Sequence, residues 1–128
     1  MTRVVRQLLR FVVIGAIGFG ADVAVLYGAL ALGSGPYPGR LLSFLTAVWV
    51  TWRLNRRYTF APTAAPWREW WRYLAAMSGG AALNLAAYWL TLWCLAPALW
   101  LPALGVAVGS LAGMLVNFLS AKLFVFKS

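Results

Sequence analysis

Residues 11–32 read FVVIGAIGFGADVAVLYGALAL. These 22 residues are long enough to cross the hydrocarbon core of a bilayer as one helix. Asp22 stands in the middle of the stretch, and no other charge falls between Arg10 and Arg40. A carboxylate at bilayer depth costs roughly 2.5 kcal/mol or more on insertion scales, so it belongs in a protein interior or a polar cavity. The stretch predicts a membrane protein with a polar feature held inside it.

The remainder of the chain extends that reading. Of 128 residues, 63% are apolar and 10% charged, with mean hydropathy +0.80; a soluble domain carries about 25% charged residues. Apolar spans at 11–32, 41–52, 73–96 and 99–121 predict an all-α membrane protein. Its four transmembrane helices are expected near 11–32, 38–55, 73–96 and 99–121. The second reaches full length only by taking in residues 38–40 and 53–55. Nothing is left over for a soluble catalytic domain, so residues 1–128 are expected to form a single four-helix transmembrane domain.

The net charge of +9 raises nucleic acid as a partner, and the positions of the charges argue against it. Ten of the eleven basic residues lie at the N-terminus (Arg3, Arg6, Arg10), around the second connection (Arg53, Arg56, Arg57, Arg68, Arg72) or at the C-terminus (Lys122, Lys127). Arg40 alone falls in the first connection, and the third has none. By the positive-inside rule both termini and the central connection face the cytoplasm of a multi-pass protein in the cytoplasmic membrane. These residues also attract anionic membrane lipid.

Several chemistries are excluded. With no His and one Cys, the usual metal-ligand sets and the Ser/His or Cys/His nucleophile pairs cannot be built, so no catalytic residue, metal or cofactor is assigned. Cys94 is expected as a small buried hydrophobe. The N-terminal arginines and Ala29-Leu30-Ala31 imitate a cleavable leader. The apolar run is too long for one and contains Asp22, so cleavage is not expected.

Residues 2–10, TRVVRQLLR, suit a short amphipathic turn at the interface. Gly33-Ser34-Gly35-Pro36 turns the chain, Pro66 is placed to start a helix, and Trp67 to Arg72 form an aromatic-basic interfacial segment. The chain also repeats itself. At one offset Arg10-Phe11 matches Arg72-Tyr73, Gly18 matches Gly80, Asp22 matches Asn84 and Tyr27 matches Trp89. At an offset four residues larger, Arg56 to Phe60 matches Lys122 to Phe126. Each repeat is a two-helix hairpin, and two spans return the chain to its starting side, so the hairpins are parallel repeats. Gly105, Gly109, Gly113, Asn117 and Ala121 form a stripe of small residues on helix 4, as Ser43, Ala47, Thr51 and Asn55 do on helix 2. Such stripes serve packing inside a bundle or a dimer seam.

Two sets of residues are candidates for function. Asp22, Asn84 and Asn117, with Arg40 and Arg53 as the cations nearest the membrane at opposite ends of helix 2, form a polar interior that either contacts a sugar or proton, or fixes helix packing. Asn55, Arg56 and Arg57, with Lys122 in the equivalent arm, suit a phosphate through charge and bidentate hydrogen bonds. The alternative for this second set is ordinary topological anchoring.

The chain resembles the GtrA-like family of small four-helix membrane proteins over nearly its whole length. The resemblance rests on Arg10 to Gly15 with Asp22 downstream, on Asn55 to Phe60, and on Asn117-Phe118-Leu119 with Lys122 to Phe126. The family's last motif often carries two basic residues, whereas here Leu123 follows Lys122. The resemblance implies cell-surface polysaccharide assembly. In one reading the protein flips a monosaccharide linked to a polyprenyl phosphate, such as undecaprenyl phosphate. In a second it is a non-transporting subunit that anchors or regulates a glycosyltransferase. A proton-coupled exporter of small molecules is a third, with Asp22 as its carboxylate. Four helices are few for a transport path, so the first reading implies a homo-oligomer, a dimer in the simplest case. None of the three requires an enzyme activity.

Overall fold

Helix ends in this chain are set by caps and turns rather than by where apolarity begins. A computed structural model describes residues 2–127, leaving aside the side chains of Pro36, Tyr37, Pro102, Ala103 and Val106. Its regular elements are all helices: α1 (Arg3–Ala31), α2 (Pro36–Tyr58), α3 (Pro66–Cys94) and α4 (Leu101–Ser120), the last running on into a π-helical turn (Ala121–Val125). The Thr2 hydroxyl caps α1 by accepting from the Val5 N–H at 3.2 Å. The expected amphipathic turn over 2–10 is therefore the start of α1 itself. At the other end Gly33 adopts φ +95°. The Gly33 N–H donates to the Leu30 carbonyl and the Ser34 N–H to the Ala29 carbonyl. That pair of bonds closes a helix on a left-handed glycine. Proline stands in the first turn of α2 and of α3, where a missing N–H is harmless. α3 therefore begins well before its apolar run, at the position Pro66 marked.

The chain divides into two compact units, Met1–Ala64 and Ala65–Ser128. In the first, α1 packs antiparallel on α2; in the second, α3 packs on α4. Small residues bring the backbones together. A Cβ on Gly18 would collide with Thr51 Cγ2, and one on Gly80 with Asn117 Oδ1. A Cβ on Gly109 would meet the Asn84 carbonyl oxygen at 2.5 Å, and one on Gly113 the Gly80 carbonyl at 3.0 Å. The small-residue stripes on α2 and α4 are thus consumed inside their own hairpins.

Each hairpin is latched by an aromatic pair near the end of its second arm. Phe11 meets Phe60 edge-on with centroids 6.2 Å apart, and Tyr73 meets Phe126 at 5.9 Å. Under the two sequence offsets these pairs are equivalent. The turns that deliver the rings also match. The Phe60 N–H donates to the Asn55 carbonyl at 2.9 Å and the Phe126 N–H to the Ala121 carbonyl at 3.0 Å, both spanning five residues. The buried side chains gather around these latches, including Trp52, Met77 and Phe118.

Away from the latches the surface is apolar. Phe19, Tyr27, Trp89, Leu90 and Trp93 are all exposed. Arg3–Ala31 and Ala107–Val125 are long and apolar enough to cross a membrane, yet only 17% and 28% of their most apolar windows are buried within the chain. A helix at the core of a soluble protein would bury that surface. Cys94 departs from expectation: it is exposed at the last residue of α3, beyond the packed face of the hairpin.

Candidate functional site: basic helix ends and a central ion pair

Where α2 stops, its final carbonyls lack intrahelical donors, and α1 supplies them. Arg10 Nη1 donates to the Tyr58 carbonyl at 2.8 Å, and Gln7 Nε2 to the Thr59 carbonyl at 3.3 Å. Asn55 is 1% exposed. Its Oδ1 accepts from the Thr59 hydroxyl at 2.8 Å, so its amide stands behind the arginines as part of the frame that ends α2. Arg56 is half-buried, with its guanidinium 5.6 Å from the Trp52 ring and Nη2 donating to the Thr63 carbonyl at 3.3 Å. Arg57 is exposed, 5.4 Å from the Tyr58 ring.

Gln7, Arg10, Arg57, Tyr58 and Thr59 border two hollows. An open groove of about 590 Å³ is lined by Leu9, Val13, Ile14, Ile17 and Leu54, with Arg10, Arg57 and Tyr58 also on its wall. A smaller pocket of about 140 Å³ is lined by Arg3, Arg6, Gln7, Arg10, Thr59 and Ala61. Arg10 belongs to both. In the second hairpin a groove of about 550 Å³ lies between Arg72, Ala75, Ala76, Ser120, Leu123 and Phe124. Every one of its residues corresponds to a lining residue of the first groove: Arg72 to Arg10, Phe124 to Tyr58, and Leu123 to Arg57. The second groove thus keeps the arginine of the first arm and loses that of the second. Lys122 is half-buried in the π turn beside it.

The second polar site of the first hairpin lies toward its opposite end, near the start of α2. Arg40 Nη1 donates to Asp22 Oδ1 at 2.5 Å, an ion pair in which the Asp22 side chain is 16% exposed and that of Arg40 58%. The same Nη1 reaches the Ser43 hydroxyl at 3.2 Å, and Ser43 is fully buried. Arg53, the other cation considered for Asp22, lies 6.0 Å from both the Trp49 and Trp52 rings instead. Asn84 is pressed against Gly109 and Gly113, and Asn117 against Gly80. Among the described residues Asn117 Oδ1 is buried with no hydrogen-bond partner. The structure thus brings Asp22 to Arg40, and sets Asn84 and Asn117 between α3 and α4 beside glycines.

Two contributors escaped the sequence reading: Gln7 and the wall formed by Arg3, Arg6 and Arg10. A signal for the first was present. Gln7, Phe11, Ile14 and Gly18 are the buried residues of α1. Their spacing is one helix face, so a polar residue in that register was marked for burial.

Exposed apolar helices capped by cationic ends and paired as hairpins define an all-α membrane protein. More particularly, the chain belongs to the GtrA/DPMS transmembrane-domain family, whose model matches residues 10–126. The resemblance seen in the sequence motifs is thereby established, and the family connects the chain with lipid-linked sugar translocation. No curated protein sequence matches the chain.

Proposed function

We propose that the protein flips a polyprenyl-phosphate-linked monosaccharide across the cytoplasmic membrane for cell-surface polysaccharide synthesis, acting as a transporter and not as an enzyme. Four helices span the bilayer as two parallel-repeat hairpins. Both termini and the connection between α2 and α3 lie on the cytoplasmic side, and the working form is a homodimer. One observation carries the reading: an apolar groove of about 590 Å³ has two arginines, Arg10 and Arg57, on its wall. A phosphate joined to a long hydrocarbon asks for that combination, charge for the head and an oily channel for the tail. Arg56 and Arg57, backed by Asn55, meet the phosphate on the first hairpin, and Lys122 on the second. Asp22 with Arg40, and Asn84 and Asn117, line the sugar's course, while Arg53 anchors α2 among its tryptophans.

The test is a purified protein in liposomes, assayed for movement of a polyprenyl-phosphate sugar. Arg56→Ala with Arg57→Ala should abolish movement at normal protein level. Normal movement by that variant would return both residues to topological anchoring. Rescue by Lys would show that charge suffices; its failure would point to bidentate geometry. A second reading, a subunit that supports a glycosyltransferase, draws on Trp67 and Trp71, which are 70% and 63% exposed at the start of α3. It predicts no movement by the protein alone. The exporter reading is weakened because Arg40 already engages the carboxylate it needs.

A further inference from the structure

We infer that the groove of the second hairpin seats an anionic glycerophospholipid, with the Arg72 guanidinium on its phosphate and the Ser120 hydroxyl on an ester carbonyl. The groove holds about 550 Å³ between Arg72, Ala75, Ala76, Ser120, Leu123 and Phe124. Leu123 and Phe124 are exposed, so the long wall is apolar and open to the bilayer. Two polar groups interrupt it. Arg72 is exposed just before the apolar run 73–96. Among the described residues it makes no hydrogen bond, ion pair or ring contact. Ser120 is half-buried, and its hydroxyl has no partner among the described residues either. A helical hydroxyl ordinarily turns back to a carbonyl three or four residues earlier, as those of Thr51 and Thr91 do. Both groups on the groove are therefore available to an occupant.

Comparison with the first groove says which lipid this is. At the two sequence offsets Arg72 corresponds to Arg10, Ser120 to Leu54 and Leu123 to Arg57. In the first groove Arg10 is already engaged with the Tyr58 carbonyl, Arg57 supplies a second cation, and Leu54 offers no donor. The second groove has exchanged one cation for an apolar side chain, and one apolar side chain for a hydroxyl. A single cation, a neutral donor and an apolar wall match a phosphodiester, an ester carbonyl and an acyl chain. A prenyl chain carries no acceptor for Ser120. The head is net negative and not zwitterionic, because Arg68 stands exposed one turn before Arg72 and would repel an ammonium. The site goes beyond the transport reading and does not rest on it. Lys122, given above to the transported phosphate, is not among the residues that line this groove.

Calorimetric titration of the purified full chain in neutral detergent tests this, using short-chain phosphatidylglycerol, its diether analogue and short-chain phosphatidylcholine. Phosphatidylglycerol should bind roughly tenfold more tightly than phosphatidylcholine, the scale of one charge-assisted contact. Arg72→Gln, an exposed change with no internal bond to break, should weaken phosphatidylglycerol roughly tenfold. Ser120→Ala and the diether analogue should each weaken binding about fivefold, the scale of one neutral hydrogen bond. Because they remove the same bond, the diether should bind the Ser120→Ala variant as well as the ester does. Melting checks the fold of both variants. A saturating short-chain prenyl phosphate should leave phosphatidylglycerol bound. Equal binding of the two phospholipids, or wild-type affinity in Arg72→Gln, would make Arg72 a topological anchor and overturn the site. Additive losses from Ser120→Ala and the diether would overturn the ester contact, and with it the glycerolipid. Displacement by prenyl phosphate would overturn a separate phospholipid site. Failure of liposome transport with phospholipid binding intact would defeat the transport reading alone.

Discussion

In the first hairpin Asp22 meets Arg40 and Asn55 meets Thr59; the corresponding sequence positions in the second are Asn84 and Val106, and Ala121 and Val125. The backbone devices, by contrast, are the same in both: a glycine under the crossing, a five-residue turn, and an aromatic pair that latches the arms. The difference teaches that the latch sets the hairpin and leaves the polar positions to vary. Where the first unit pairs a carboxylate with a cation, the second fits an amide against glycines. Charge is concentrated in one repeat, while the other is held by close backbone approach.

That contrast can be broken at several points. The largest effect is expected from Gly109→Ala, whose Cβ would meet the Asn84 carbonyl oxygen at 2.5 Å. Backbone cannot swing aside as a side chain can, so unfolding in detergent should show a loss of about 3 kcal/mol. Asp22→Asn comes next. It gives the first hairpin the amide of the second but leaves Arg40 without its carboxylate. Removing one partner of a buried pair costs 3–5 kcal/mol, and the exposure of Arg40 reduces this to about 2 kcal/mol. Adding Arg40→Val, to complete the residue set of the second hairpin, should recover most of that stability. Transport should stay low in both variants, and full transport by either would leave Asp22 a packing residue. Phe60→Leu and Phe126→Leu should each lose about 1 kcal/mol, the edge-on ring contact plus a small change in volume. Unequal losses would show that the two latches are not equivalent. Gly15→Ala is the smallest. No neighbour lies within 4 Å of its Cβ, and helix propensity should stabilise α1 by up to about 1 kcal/mol.

The repeat was legible in the sequence because the latch residues are large, distinctive and placed at fixed offsets. The helix starts were less so. Thr2 and Pro66 set them through hydrogen bonding and φ, which hydropathy does not register. For Asp22 the sequence offered two cations at opposite ends of α2. The short link from Ala31 to Pro36 forces an antiparallel hairpin, and that geometry sets Asp22 beside the start of α2, hence beside Arg40. The pocket of Arg3, Arg6 and Arg10 was hidden because its far wall, Thr59 and Ala61, arrives only when the chain turns back after α2. The arginines could be counted, but their convergence could not.

The position of each latch also orders the birth of the molecule. Phe60 closes on Phe11, so the first half is complete as soon as that ring has left the ribosome. The ring that closes the second half, Phe126, follows 66 residues later. At about 5–20 residues per second, that leaves the first hairpin roughly 3 to 13 seconds to lock before its sibling can. Helix pairing takes far less time, so the half bearing the ion pair is settled while the other is still being made.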